Sequence, residues 1–256
     1  MVTISFLNLK GGVGKSTTSL NIAAGLADLG KRVLFIDYDK QGNTSSNFPT
    51  SPEVTIGDVM LGVIPIENAI FKVEDNLSVI SSGMDLKQTE VDLQRDVNGA
   101  RFDILKEALN SIEDRFDYCI LDCMPDINIL IINAIFASSV LIIPIKPEKY
   151  AWQGFENTLL SIDSIRNNFN LPIECYVLFT IVNRVSDERR WIKSIRENLK
   201  ENAFESEIRN QPAPIIRSSN ANKMVIRERL TPIARDMRDV VKEILRRFPN
   251  AEKEHI

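Results

Sequence analysis

The sequence predicts an α/β fold with a doubly wound, mostly parallel sheet flanked by helices. Short, continuously apolar segments of strand length recur along the chain, as expected for parallel strands that are buried on both faces. Segments with helical spacing of apolar residues lie between them, and this alternation favours one parallel sheet covered by helices. A glycine-rich turn joins the first predicted strand to the first predicted helix, where folds of this kind often bind a ligand.

Five segments are predicted as strands from their apolar and β-branched content. Residues 3–8 lead into the glycine-rich turn, and residues 32–39 remain apolar until they end in acidic side chains. Residues 118–123, 140–145 and 175–183 repeat this pattern. We therefore expect these five segments to pair in one sheet.

Five further segments have the periodicity of helices. The first spans residues 16–29 and ends before Gly30, a natural helix stop. The others are residues 101–112, 152–166, 188–200 and 232–247. Residues 44–53 are rich in Ser, Thr, Asn and Pro, so a surface loop is expected there.

Composition predicts one globular domain over residues 1–256, which would hide roughly three quarters of its unfolded surface. No apolar run approaches the roughly 20 residues of a membrane span, and the N-terminus shows no charged leader, so a cytoplasmic protein is expected. The three cysteines form no CxxC pair and the single histidine is His255. A disulfide framework or a His/Cys metal site is therefore not expected.

The charge is distributed unevenly along the chain. Residues 184–247 carry 16 Lys+Arg against 10 Asp+Glu, a balance of +6, whereas the whole chain has a net charge of −4. A basic C-terminal quarter on an acidic body indicates a surface for a polyanion. The alternative is that amphipathic helices simply carry solvated charges of both signs.

The segment "LNLKGGVGKSTT", residues 7–18, is a candidate phosphate-binding loop. It fits the end of the pattern G-x-x-x-x-G-K-[ST], but Leu9 stands where the first glycine belongs. Backbone N–H groups and the following helix N-terminus would surround an anion, and a hydroxyl would bind Mg²⁺. The candidate nucleotide contacts in this loop are Gly11, Gly12, Val13, Gly14, Lys15, Ser16 and Thr17.

Acidic side chains follow two of the predicted strands. Asp37 and Asp39 end the second strand, and Asp122 ends a later one. The carboxyl ends of parallel strands meet at one edge of a sheet, so these carboxylates are expected beside the loop, where they can hold a metal ion's hydration shell. A cap or turn role is the alternative for any one of them.

The loop resembles that of the deviant-Walker ATPases, specifically the ParA family of partition proteins, whose signature K-G-G-x-G-K-[ST] is matched without a gap. The resemblance implies a P-loop NTPase fold that binds ATP and Mg²⁺ and hydrolyses ATP. It also implies that Lys10 reaches across a two-fold sandwich dimer to the ATP of the partner chain. The alternatives are that Lys10 binds phosphate in its own chain or faces solvent.

The same resemblance implies roles for further residues. Lys10, Lys15 and Asp39 are the candidate catalytic residues, with Asp39 orienting the attacking water as the second acid of the family segment "DxDPQGN". Ser16, Asp37 and Asp122 are the candidate metal-site residues. Asn183 is expected to contact adenine, a simple turn role being the alternative.

Two departures from the family pattern lie near these acids. Lys40 replaces the proline of "DPQGN", and Met124 with Asp126 alters the family segment "DCPPS". Neither change removes a proposed ligand. Both lie in segments expected to sense the γ-phosphate, so the resemblance carries the expectation of ATP binding further than it carries the rate of turnover or the response to a partner.

The family likeness extends over nearly the whole chain and is to its small, single-domain members, because the loop begins at the eighth to tenth residue. It implies an ATP-dependent homodimer, sequence-independent DNA binding, a ParB-like or small centromere-binding partner, and a nucleoid-associated protein in the cytoplasm. For Arg217 the alternative to DNA contact is an ion pair within its own chain. The candidate DNA-binding residues are Arg189, Arg190, Lys193, Arg217 and Lys223.

Other functions of related proteins are weighed against this one. A MinD-like membrane-cycling ATPase would need an amphipathic C-terminal anchor, but the tail is interrupted by Pro249, so no membrane partner is expected. A nitrogenase-iron-protein-like reductase would need cluster cysteines, and a bacterial tyrosine kinase would end in a tyrosine cluster, whereas the last tyrosine is Tyr176. A weakly hydrolysing, nucleotide-gated DNA scaffold is the remaining alternative.

Overall fold

The computed structural model describes residues 1–42, 48, 54–95, 99–148, 151–183 and 185–250. Eight strands within these residues form one sheet, in the spatial order β3-β4-β2-β5-β1-β6-β7-β8. The strands are β1 (Val2–Phe6), β2 (Val33–Tyr38), β3 (Phe71–Glu74), β4 (Leu77–Ile80), β5 (Tyr118–Cys123), β6 (Val140–Ile145), β7 (Glu174–Val182) and β8 (Ala203–Arg209).

Neighbouring strands are parallel except for β3 and β4, which pair antiparallel at one edge. Every residue of β2, β5 and β6 is buried, which explains why these segments are continuously apolar. Parallel strands need long crossover connections, and helices in those crossovers cover both faces of the sheet. The fold class predicted from the sequence is therefore confirmed.

The helices in the described residues cover the two faces of the sheet, and a hydrophobic core lies under each set of helices. The α1-side core lies under the first helix, Lys15–Asp28, and the last helix, and it contains Ile4, Phe35 and Ile120. The α6-side core lies on the other face, under the helix Ile129–Ala137, and it contains Leu34 and Leu121. The helices are α1 (Lys15–Asp28), α2 (Ile56–Met60), α3 (Ile66–Ala69), α4 (Asp85–Gln94), α5 (Ile104–Asn110), α6 (Ile129–Ala137), α7 (Ala151–Phe169), α8 (Ser186–Leu199), α9 (Pro212–Asn220) and α10 (Pro232–Arg247).

A glycine allows α1 to lie very close to α10. A Cβ atom at Gly25 would lie 2.5 Å from the Cδ1 atom of Ile226 and 2.8 Å from a methyl group of Val241. Both distances are far below van der Waals contact, so only glycine fits without movement of the neighbours. The buried side chain of Asn21, one turn earlier on α1, accepts a hydrogen bond of 3.0 Å from the N–H of Ile226.

The predicted elements agree with the structure most closely in the centre of the sheet. The strands at 118–123 and 140–145 and the helix at 232–247 have the predicted bounds. The first strand ends at Phe6 rather than at residue 8, because residues 7 and 8 already belong to the glycine-rich turn. The loop expected at 44–53 lies outside the described residues apart from Phe48.

The sequence patterns did not predict the outer strands β3, β4 and β8 or the helices α2, α3, α4, α6 and α9. β3 and β8 lie at the two edges of the sheet and contain charged residues, which is common for edge strands. α6 is apolar on nearly all sides and therefore lacks helical periodicity. None of the helices in the described ranges is both long and apolar enough to cross a bilayer.

Candidate nucleotide-binding site

The glycine-rich turn between β1 and α1 has the backbone of an anion-binding loop. Gly12 and Gly14 have φ angles of +72° and +81°, a left-handed conformation that side chains disfavour. Gly14 precedes the first residue of α1, and its carbonyl accepts the N–H of Thr18 at 3.0 Å. The loop therefore ends at the N-terminus of a 14-residue helix, where partial positive charge collects.

The space above the loop is open. A Cβ atom at Gly11 or Gly12 would meet nothing within 4 Å, and both residues are exposed. The first turn of α1 presents Ser16, which is exposed, and Thr17, which is half-buried. These features fit the phosphate groups of a nucleotide, which need room and backbone donors close by.

Lys15 is buried, with 8% of its surface exposed. Its Nζ donates to the carbonyl of Lys10 at 3.3 Å, across the loop. Burial lowers the pKa of Lys15, and the nearby Asp122, Cys123 and Asp39 offset only part of this effect. A buried ammonium whose charge is not fully compensated is what a phosphate group would stabilise, so the donor set fits ATP.

Two of the predicted carboxylates lie side by side. Asp37 on β2 and Asp122 on β5 are register partners, and both are buried. They point to the face that α1 covers, since Phe35 and Ile120, two residues earlier on the same strands, belong to the α1-side core. Adjacent carboxylates near a phosphate loop suit Mg²⁺, which binds through few carboxylates together with waters and phosphates.

Asp39 lies just beyond the end of β2 and is half-buried. Its carboxylate accepts the N–H of Gln41 at 3.0 Å, and its own N–H donates to Asp37 at 3.2 Å. Among the described residues, no group of three or more His, Cys, Asp or Glu side chains forms a closed cation site. Any divalent ion here would therefore rely on ligands from a nucleotide and from water.

Lys10 contacts its own chain. Its ammonium pairs with one carboxylate oxygen of Glu148, and Lys146 pairs with the other oxygen at 2.9 Å. The two lysines, Lys10 first, lower the pKa of Glu148. The side chain of Lys10 is 36% exposed, so in a single chain it is held by a carboxylate rather than by solvent.

Asn183 directly follows β7 and is exposed. Its side-chain oxygen accepts a 2.7 Å hydrogen bond from Asn210, and its Nδ2 donates to Glu188 at 2.8 Å. The backbone N–H of Asn183 also donates to Glu188, at 2.7 Å. The amide is thus held at the strand end by Glu188 of α8 and by Asn210, which follows β8, and the adenine role stays a prediction.

The five candidate DNA-binding residues are exposed but do not form one patch in a single chain. α8 packs on the α6-side core through Ile192 and Ile195, whereas α9 packs on the α1-side core through Ile215. The helices that carry the two groups therefore cover opposite faces of the sheet. Arg189, Arg190 and Lys193 belong to α8, and Arg217 and Lys223 to the α9 region.

Most of these cations have an acidic neighbour. Arg189 pairs with Glu207 at 2.8 Å, and Arg217 pairs with Glu228 at 2.5 Å. Arg190 pairs with Asp187 on the same helix. Surface pairs of this kind contribute about 0–1 kcal/mol, so a phosphate backbone can replace the acidic partner at small cost.

Sequence reasoning missed a polar residue at the start of the loop. The buried Asn8 donates to the carbonyl of Pro144 at 2.7 Å, and its oxygen accepts the N–H of Lys10 at 2.8 Å. Thr158 on α7 donates to the same oxygen at 3.3 Å. Asn8 thus ties the loop to β6 and α7, and its position as a polar residue after an apolar strand was the available signal.

A second missed contact comes from β7. The hydroxyl of the buried Thr180 donates to the carbonyl of Val13 at 2.7 Å. Nothing in the local pattern marked this threonine, because threonine is common in strands.

The amino-acid sequence of the chain is similar to those of several known proteins. The family model described as "AAA domain" matches residues 1–175. The chromosome partitioning protein ParA of Caulobacter vibrioides is 32% identical over 213 residues, which cover 80% of this chain and 79% of that protein. The sporulation initiation inhibitor protein Soj of Bacillus subtilis is 32% identical over 211 residues, covering 80% of this chain and 83% of Soj.

Solved structures show the same fold. A putative plasmid partition protein of Borrelia burgdorferi bound to AMPPNP has a TM-score of 0.81 at 20% identity, covering 96% of this chain and 99% of that one. The cobyrinic acid a,c-diamide synthase of Mycobacterium smegmatis with an ATP analogue and magnesium has a TM-score of 0.79 at 24% identity, covering 96% and 95%.

These neighbours agree with the P-loop NTPase fold and with the expectation of ATP and Mg²⁺ as cofactors. The sequence relatives point to the same family as the resemblance seen in the glycine-rich loop. With a third of its residues identical to partition proteins over four fifths of its length, the chain belongs to the ParA/Soj family of chromosome partitioning proteins.

Proposed function

We propose that residues 1–256 act as one ATPase domain that positions DNA cargo by cycling between an ATP-bound dimer and a monomer. The dimer binds DNA without sequence preference, and hydrolysis to ADP and phosphate releases it. A ParB-like or small centromere-binding protein stimulates hydrolysis, and the protein acts in the cytoplasm on the nucleoid. The observation that carries the proposal is the buried Lys15 beneath an open glycine loop, next to two register-paired carboxylates.

Each group at the loop has a task in phosphoryl transfer. Lys15 neutralises charge on the terminal phosphates, and the Ser16 hydroxyl with Asp37 and Asp122 holds the hydrated metal ion. Asp39 orients the attacking water. Mg²⁺ held by these residues would supply further neutralisation of the phosphate charge during transfer of the γ-phosphoryl group to water, with ADP as the leaving group.

Lys10 completes the site of the partner chain in this proposal. To do so it must leave Glu148, and a triphosphate offers it more negative charge than a single carboxylate. Nucleotide then becomes part of the dimer interface, so ATP stabilises the dimer and loss of the γ-phosphate weakens it. Lys10→Ala should bind ATP as a monomer; a normal ATP-dependent dimer would contradict this role.

The DNA-binding part of the proposal rests on the exposed cations of α8 and α9. In a single chain these helices cover opposite faces of the sheet, and a two-fold dimer presents each group twice, so a duplex can contact more than one group. Asp39→Ala should slow hydrolysis and hold the dimer on DNA. Release of DNA by this variant in the presence of ATP would contradict the assignment of Asp39.

Two other functions have less support. The apolar side of α10, including Ile233, Met237 and Ile244, is buried in the α1-side core, so this helix is not an exposed membrane anchor like that of MinD-like proteins. The synthase among the structural neighbours is similar in fold at 24% identity, whereas the relatives from Caulobacter vibrioides and Myxococcus xanthus, at 32% and 33% identity, are named as chromosome partitioning proteins.

Phosphate release tests the proposed activity. We expect slow ATP turnover that requires Mg²⁺ and rises when duplex DNA and the cognate partner are added. Lys15→Ala is the control, since it removes the lysine from the loop while leaving the surface cations in place. ATP-dependent DNA binding without turnover under any of these conditions would favour the non-hydrolysing scaffold instead.

A further inference from the structure

We propose that Thr180 on β7 is a positioning residue for the nucleotide, because it orients the peptide between Val13 and Gly14 so that the Gly14 N–H faces the bound phosphates. This inference rests on the proposed function for its ligand. It assigns a role in the site to a strand that contributes no residue to the loop itself.

The contact is buried and specific. The Thr180 hydroxyl donates to the Val13 carbonyl at 2.7 Å, and Thr180 and Val13 are 1% and 2% exposed. At such a buried position water has little access to replace a lost donor. The Val13 carbonyl would then lack the hydrogen bond that holds its direction.

The geometry of the peptide group links this carbonyl to the phosphate site. A trans peptide is planar, with its C=O and N–H pointing in opposite directions. When the Val13 oxygen is held toward β7, the N–H of Gly14 must point away from β7. Gly14 can accept this orientation because its φ of +81° is accessible to glycine.

The next residue of β7 supports the same segment. Ile181 has a φ of +55°, which is rare for a β-branched residue, and its Cδ1 lies 3.7 Å from the position of a Cβ on Gly14. The pairing of β7 with β8 shifts register between Phe179 and Val182, which accommodates this irregular backbone. In a regular strand, consecutive side chains face opposite sides, but here Thr180 and Ile181 both contact the loop.

This strained backbone has a simple explanation if β7 serves the loop. Strain of this kind persists where the surrounding structure imposes it and is concentrated at functional sites. β7 also ends directly before Asn183, the residue predicted to contact adenine. One strand end would thus set the position of the phosphate loop and hold the residue proposed to meet the base.

Three variants test the proposal. Thr180→Val keeps the size and branching of the side chain but removes the hydroxyl, and Thr180→Ser keeps the hydroxyl. Thr89→Val is the matched control, because Thr89 is also a buried threonine whose hydroxyl donates to a backbone carbonyl, that of Asp85 at 3.2 Å on α4. Thermal unfolding of all three verifies that they are folded.

Calorimetric titration with Mg²⁺ and ADP or a non-hydrolysable ATP analogue gives the first readout. We expect Thr180→Val to weaken the affinity for both ligands by about tenfold, which is the effect of one lost buried hydrogen bond. The affinities of Thr180→Ser and Thr89→Val should be near those of the wild type. Equal loss for both ligands is expected because the Gly14 N–H is proposed to face phosphates that ADP and the ATP analogue share. Wild-type affinity of Thr180→Val for ADP would overturn the proposal.

Amide hydrogen exchange of residues 11–16 in the nucleotide-free protein gives an independent readout. Exchange should be faster in Thr180→Val and unchanged in Thr180→Ser and Thr89→Val, whereas unchanged exchange in Thr180→Val would overturn the positioning role. If wild type itself fails to bind either nucleotide, the proposed function fails while the exchange result still decides whether Thr180 orders the loop.

Discussion

The phosphate loop and the basic helices α8 and α9 differ in how complete they are within one chain. The loop has its glycine conformations, its buried lysine and its neighbouring carboxylates in place. The basic residues belong to helices that cover two different faces of the sheet, and most are paired with acids of the same chain. Under our proposal, this contrast means that one chain already holds the groups for nucleotide binding, whereas DNA binding requires rearranged ion pairs and a second chain.

The largest expected effect is on the preformed loop. Lys15→Ala removes the buried ammonium, and we expect the affinity for Mg²⁺-ATP to fall by about 100-fold or more, because hydrogen bonds to charged groups are the strongest of the site. Calorimetric titration measures this. Lys87→Ala, at an exposed position on α4, should bind like wild type. A Lys15→Ala protein that binds ATP normally would show that the loop is not the nucleotide site.

The second prediction separates binding from assembly. Lys10→Ala should retain ATP affinity within about twofold, yet require at least about tenfold more protein to dimerise, because an interchain charge-assisted hydrogen bond is lost. Sedimentation of the ATP-bound protein measures this, and Lys87→Ala again serves as the control. Unchanged dimerisation would show that Lys10 does not contribute to the dimer interface and acts only within its own chain.

The third prediction concerns the basic helices. Arg189→Ala and Arg217→Ala should each flatten the dependence of log K for DNA on log salt by about one unit per lost phosphate contact. Arg32→Ala is the control, since Arg32 is an exposed arginine that pairs with Asp117 at 2.8 Å just before β2, at the opposite end of the sheet. If only one variant changes the slope, DNA contacts one face of the sheet.

The smallest expected effect is at the ion pair that holds Lys10. Glu148→Gln removes the carboxylate charge, so ATP-dependent dimerisation should strengthen by about twofold to fivefold, in keeping with the energy of a partly exposed pair. Glu90→Gln, at a half-exposed position on α4, should have no effect. Weaker dimerisation of Glu148→Gln would show instead that Glu148 itself serves the dimer.

The sequence predicted the centre of the molecule better than its edges. β5 and β6 are buried on both faces and therefore read as continuous apolar runs, and the glycine loop has a sequence set by its own backbone conformation. β8 was missed because an edge strand such as "AFESEIR" has one exposed side and carries charge. A local sequence pattern reflects only the environment of its own segment, whereas β8 is a strand because it pairs with β7.

The site shows the same limit. Asp37 and Asp122 were predicted at strand ends, and their pairing follows from strand order, which fold class alone does not specify. The contacts of Lys10 with Glu148 and of Thr180 with Val13 join residues 138 and 167 positions apart. No periodicity or motif encodes such a distance, so these contacts required the structure.

The absence of a side chain at Gly25 has a mechanical consequence. The helix that begins at the phosphate loop lies directly on the last helix of the chain, and the gap between them is too small for even a methyl group. A displacement of the first helix would therefore press directly on the last one. Under the proposed function, a shift caused by nucleotide at the loop would reach the last helix without passing through the sheet.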